Sequence, residues 1–128
     1  MPPVKTKAAV GNLQTDSTIA WTDITGLAIT LTTQTQSAIT ALLVCECKVV
    51  PGYQMMFGRI LVDGVPCSPG DVALTWVDGP MQTRSLLAVS KTLPAGKHKV
   101  TAQWMVTNDA GGTTDGYLGK RALTAFAS

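Results

Sequence analysis

From residue 18 to the end of the chain, apolar residues recur at every second position, the period of extended strands and not of helices. The run Leu27-Ala28-Ile29-Thr30-Leu31-Thr32-Thr33 is the cleanest case. Leu27, Ile29 and Leu31 share one face, while Thr30 and Thr32 occupy the other, where β-branching suits an extended backbone. A longer segment runs from Ser37 to Val50. Its Ile39, Ala41, Leu43, Cys45, Cys47 and Val49 fall on the face expected to point inward. The opposite face carries Leu42 and Val44 before it turns charged at Glu46 and Lys48. A half-exposed strand does not place Leu and Val outside without cover. Leu42 and Val44 are therefore expected at an interface with another chain.

Six more strands complete the pattern: Thr18 to Thr22 around Ile19 and Trp21, Met56 to Val62, Val72 to Trp76, Gln82 to Thr92, Lys97 to Thr107 and Tyr117 to Ala127. Turn signals separate them at Pro51-Gly52, Asp63-Gly64, Pro69-Gly70, Asp78-Gly79-Pro80 and Leu93-Pro94-Ala95-Gly96, with a Gly-rich loop from Asn108 to Gly116. About eight short strands at this spacing predict an all-β, antiparallel two-sheet sandwich or a barrel. No window has a 3.6 period flanked by caps, and Glu, a good surface-helix residue, occurs once. Residues 1–17, with Pro, Lys and small side chains, are expected to form an extended N-terminal arm ahead of a sandwich domain at 18–128.

At 128 residues the chain fits one domain with a real core. Hydrophobic residues make up 45% of it and charged residues 14%, a low charge content for a surface wholly in water. Either Thr, Ser, Gln and Gly dress the surface, or other chains cover part of it. A net charge of +2 with scattered basic residues, of which Lys91, Lys97 and Lys99 are the one loose group, argues against nucleic acid. The longest apolar run, Ala41 to Cys45, is far short of the roughly 20 residues of a membrane span. The N-terminus lacks a signal-peptide pattern, so synthesis and folding in a cytoplasm are expected. Three cysteines, an odd number, fit free thiols in a reducing compartment.

Candidate chemistry is thin. His98 is the single histidine, and the spacing supplies no partner for catalysis; it is expected to close the rim of the core or to hydrogen-bond the turn before its strand. Asp63 and Asp78 each precede Gly, where Asp is favoured as a turn residue. Cys45 and Cys47 read as small core residues; as half of a zinc site they would need Cys67 and His98. The 108–116 loop has oxygen groups but no EF-hand pattern. No catalytic residue, metal or cofactor is expected. Trp76 and Trp104 are in phase with aliphatic faces and are expected in the core, leaving Tyr53 and Tyr117 as the exposed aromatics.

The order Trp21-Thr22-Asp23-Ile24-Thr25-Gly26-Leu27-Ala28-Ile29-Thr30-Leu31-Thr32-Thr33, Arg59-Ile60-Leu61-Val62-Asp63-Gly64, Leu93-Pro94-Ala95-Gly96-Lys97-His98-Lys99-Val100-Thr101-Ala102-Gln103-Trp104 and Arg121-Ala122-Leu123-Thr124 resembles a recurrent jelly-roll module. That module is similar in build to the tumour-necrosis-factor and complement C1q heads and occurs in tailed-bacteriophage virion proteins and some bacterial surface proteins. The resemblance covers about residues 18–127 and implies a jelly roll that associates as a homotrimer and has no catalytic residue. With a short arm in place of a long stalk, it implies a capsid decoration or cement protein on the virion surface, made in the host cytoplasm. Its partners would be copies of itself and the major capsid protein or another virion protein, the latter met through Pro2, Pro3, Val4, Lys5, Lys7 and Val10. The alternative is a carbohydrate- or receptor-binding module of a tail fibre or bacterial surface protein, with Tyr53 and Tyr117 as glycan contacts.

Overall fold

Period-two alternation becomes strand along most of the chain. The computed structural model describes residues 4–10, 13–15, 20–50, 54–107 and 114–127, and among them there are strands and no helix. The strands are β1 (Val4–Ala9), β2 (Leu13–Thr15), β3 (Thr22–Asp23), β4 (Ile29–Thr33), β5 (Ile39–Val50), β6 (Met56–Val62), β7 (Val65–Pro66), β8 (Val72–Thr75), β9 (Gln82–Val89), β10 (Gly96–Val106) and β11 (Asp115–Ala127).

One sheet has the order β1-β11-β5-β9, with β2 also on β11. The other runs β3-β10-β6-β7, with β4 on β10 and β8 on β6. Every pairing is antiparallel. Setting aside β2, β3 and β7, which have two or three residues each, eight strands remain among the described residues. Numbered along the sequence, the first, eighth, third and sixth form one sheet and the second, seventh, fourth and fifth the other. That order is an eight-stranded jelly roll, two interlocked Greek keys closed as a sandwich.

The core lies between the sheets. Ile39, Ala41, Leu43, Cys45, Cys47 and Val49 of β5 are all buried, as their alternation predicts. They meet Ile29 and Leu31 of β4, Ile60 of β6, and Val100, Ala102, Trp104 and Val106 of β10 in one continuous cluster.

Three expectations are corrected. The strand expected at Thr18 to Thr22 survives as the short β3, with 16–19 outside the described residues. The first strand of the jelly roll is instead β1, within the segment expected to stand apart as an arm; it pairs with β11 from Val4↔Phe126 to Ala9↔Arg121. Its sequence hides this because β1 is an edge. Lys5 and Lys7 lie opposite the buried Ala125 and Leu123, yet remain exposed past the rim of the sandwich. Next, Trp76 is 53% exposed and not in the core. A register irregularity between Met56 and Phe57 disturbs the β6–β8 ladder and β8 ends at Thr75, so Thr75 is buried and Trp76 leaves the sheet. Finally, the strand expected to run from Gln82 to Thr92 ends at Val89.

Candidate assembly surface

The register of the β1-β11-β5-β9 sheet assembles its outer face row by row. Val4, Phe126, Thr40 and Val89 form one row, Thr6, Thr124, Leu42 and Leu87 the next, and Ala8, Ala122, Val44 and Ser85 the third. None of these residues is charged. Val4 (62%), Leu42 (37%), Leu87 (56%), Val89 (40%) and Phe126 (37%) are five of the eight exposed large hydrophobics among the described residues. Single exposed apolar residues are ordinary on a soluble protein; several gathered on one sheet face mark a contact surface. Thr6 and Thr124 link their hydroxyls across β1 and β11 at 3.0 Å, so the polar groups on this face partly satisfy each other.

The face ends at a β-bulge. Between Leu118 and Arg121, β11 carries one residue more than β5, and the Glu46 carboxylate accepts the freed Lys120 N–H at 2.9 Å. Beyond it, the Lys48 ammonium stands 5.2 Å from the Tyr117 ring centre. Beside the small Ala8 and Ala122 of the third row lies a hollow of about 300 Å³, bordered also by Val10, Val44 and Thr83 and, on its far side, by Glu46, Lys120 and Arg121.

Leu42 and Val44, singled out by the sequence, lie at the centre of this face. Val4, Leu87, Val89 and Phe126 were not foreseen there. Each is apolar at an outward position of its strand, but which positions line up across four strands is a matter of register. Lys5 and Lys7 are exposed on the β1 edge, and Val10, just past β1, is 78% exposed. Pro2, Pro3, Tyr53 and loop residues 108–113 lie outside the described residues. Tyr117 is half-buried, with Lys48 over its ring.

The outer face of the opposite sheet is built differently. Arg59 donates from Nε and Nη2 to Gln103 Oε1 at 2.9 and 2.7 Å, and Gln103 Nε2 donates to Asp23 Oδ1 at 2.8 Å. The same guanidinium sits 4.3 Å from the Trp21 ring centre. This face is a satisfied polar row over an aromatic, where the first is apolar and uncovered.

Two clusters of titratable groups remain. Asp63 and Gly64 both have positive φ (53° and 80°), the tight turn that links β6 to β7. The turn brings Asp63 against β10, where Oδ1 accepts the Lys99 N–H at 2.9 Å and Oδ2 lies 2.6 Å from His98 Nδ1. His98 Nε2 lies 2.8 Å from the Pro94 carbonyl oxygen, in the turn the sequence indicated. Cys45 and Cys47 are buried on the same face of β5, and the interaction between the two thiols holds Cys45 above its ordinary value and Cys47 below it. Burial raises Cys67. No group of three His, Cys, Asp or Glu side chains that could hold a metal ion occurs among the described residues.

No protein-family model matches the sequence, and no curated protein does. Solved structures share its fold. The VP2 subviral particle of infectious bursal disease virus aligns with a TM-score of 0.56 and 12% identity over 98% of this chain and 37% of that one. The structure of the Gt strain of the same virus gives 0.54 and 14%, over 98% of this chain and 33% of that one. Dimeric latent PorU from Porphyromonas gingivalis gives 0.56 and 8%, over 99% of this chain and 13% of that one. The chain thus spans about a third or less of the length of these matches, and the likeness is one of fold: a jelly-roll β-sandwich found in virus particles and elsewhere.

Proposed function

We propose that this chain is a structural protein of a tailed-bacteriophage virion, a capsid decoration or cement protein that binds the assembled shell and stabilises it without catalysis. The observation that carries this reading is the uncovered, charge-free outer face of the β1-β11-β5-β9 sheet. A protein whose work is assembly needs such a face, and one that stays monomeric in water does not. The jelly roll it shares with infectious bursal disease virus VP2 supports the reading at the level of fold. The mechanism is mass action: a protein that binds the closed shell and not its dissociated subunits shifts the balance towards the shell.

The contact with the shell falls at the β1 edge, where Lys5, Lys7 and Val10 are exposed beside the apolar face. Deleting residues 1–10 is a poor test because it removes a strand of the sandwich. Reversing the charge of both lysines keeps the strand. In density-gradient virions from a host carrying this gene, quantitative mass spectrometry is expected to find the chain at a fixed copy number per capsid. The Lys5→Glu/Lys7→Glu form is expected to fall in occupancy by about tenfold, equivalent to ~1.4 kcal/mol of binding. A chain that stays in the soluble fraction and off washed virions overturns the proposal. Normal occupancy by the double variant removes the contact from the β1 edge.

One observation favours glycan or receptor binding as a second reading, the half-exposed indole of Trp76. Glycan-array signals that vanish on Trp76→Ala, with no virion association, would select it.

A further inference from the structure

We infer that a second copy of this chain occupies the apolar face, packed sheet to sheet about a two-fold axis that crosses the strands at the Leu42–Leu87 row. This rests on the reading of that face as an assembly surface.

Shape points to a copy of the same face. Along the strands, the row with bulky Val4, Phe126 and Val89 lies two rows from Ala8, Ala122 and Ser85, and the hollow of about 300 Å³ opens beside Ala8 and Ala122. Rotation by 180° about an axis through the middle row lays each bulky row over the other copy's small row. Phe126 of one copy then enters the hollow beside Ala122 of the other, and the reverse contact forms at the same time, as an isologous interface requires. Leu42, Leu87 and Thr124 meet their own counterparts near the axis.

Charge is consistent with this. Groups close to a two-fold axis face themselves, so a charge there would face a like charge. The three rows contain none, and charged side chains begin at Glu46, Lys48 and Lys120, towards one end of the face. A strongly acidic or basic partner would find nothing to pair with across the rows.

The area fits a modest interface. Four strands about 4.8 Å apart and the three rows, about six residues of 3.4 Å, give roughly 400 Å² in projection per copy. Two copies together cover roughly 800 Å² in projection, the low end for a specific contact and the range of a reversible dimer. The sheet edges, by contrast, resist pairing. Lys5 and Lys7 point to the inner side of the β1 edge, a common obstacle to strand addition. On β9, Val89 already exchanges both backbone hydrogen bonds with Ser68, at 2.9 and 3.0 Å. Association is left to the face.

The test is the solution mass of the full chain by light scattering. Twice the chain mass of 13.4 kDa is expected for the native protein. Leu87→Lys is expected to give a folded monomer, and Val65→Lys, equally exposed at 52% but in the other sheet, to leave the dimer intact. Leu87→Cys should cross-link to its own counterpart under mild oxidation, a clean readout because Cys45, Cys47 and Cys67 are all buried. A native monomer at about 100 µM, where an interface with a Kd of about 1 µM is nearly saturated, overturns the inference. So does a trimer, or a dimer indifferent to Leu87→Lys. A monomer that still rides on virions refutes the two-fold pairing and leaves the decoration reading standing; a dimer never found on virions does the opposite.

Discussion

Trp104→Ala is expected to lower the folding free energy by about 3–5 kcal/mol, the usual cost of truncating a large core aromatic. For a domain of this size that is a fifth or more of the roughly 5–15 kcal/mol available. Trp104 is 1% exposed, and its strand pairs with three others, β3, β4 and β6. The opposing sheet has made room for the ring. A Cβ on Gly116 of β11 would come within 2.8 Å of Val106 Cγ1 and 3.0 Å of Trp104 Cζ3, so the glycine lets the two sheets close over the indole. Alanine would leave a cavity that this closely packed surrounding cannot collapse into. Trp104→Phe should cost less than about half as much. It keeps most of the ring and removes the indole N–H, which is buried without a hydrogen-bond partner among the described residues. Urea unfolding followed by circular dichroism measures both, since Trp21 and Trp76 would confuse fluorescence. Equal losses for the two variants would show that the ring is not the keystone of the core.

The same residue shows what was legible in the sequence. Trp104, Cys45, Cys47 and the inward set of β5 were placed correctly because a central strand bounded by two neighbours follows its alternation without interruption. Leu42 and Val44 were legible as outward apolar residues for the same reason. Trp76 was misplaced because it lies past the end of a four-residue strand whose ladder is irregular, where alternation no longer tells inside from outside. β1 was missed because an edge strand with inward lysines has no apolar period. The remainder of the apolar face was hidden in register: Phe126, Val4 and Val89 become neighbours through pairings that join residues 4, 126, 40 and 89. No local pattern reports that row. The His98–Asp63 contact was out of reach for the same reason. The two residues are 35 positions apart and meet because Val62 pairs with Val100.

That contact gives the chain a pH-dependent stability whose sign is fixed by geometry. His98 Nδ1 faces a carboxylate oxygen at 2.6 Å and Nε2 faces a carbonyl oxygen at 2.8 Å; both oxygens are acceptors, so both ring nitrogens must donate and the bound form is the imidazolium. The hydrogen bond to Asp63, then that to Pro94, holds His98 above its ordinary value, against the opposing effect of burial. The hydrogen bond from His98, then that from the Lys99 amide, holds Asp63 below its ordinary value. A histidine raised in the folded state adds stability that is complete below its unfolded value of about 6.5 and is lost as pH rises through the folded one. A depressed aspartate adds stability that is complete above about 3.9 and is lost as pH falls through the folded one. The pair therefore contributes most between about pH 4 and pH 6.5 and fades on the alkaline side. With the Asp63 side chain 43% exposed, solvent screening limits the contribution to about 1 kcal/mol. The urea midpoint should accordingly fall between pH 6 and pH 9, and the fall should flatten in Asp63→Asn and in His98→Gln. Because His98 is the single histidine, one imidazole resonance followed by NMR gives its titration without ambiguity. A midpoint at or below about 6.5 would show that the carboxylate does not hold the proton, and the alkaline loss of stability would then need another source.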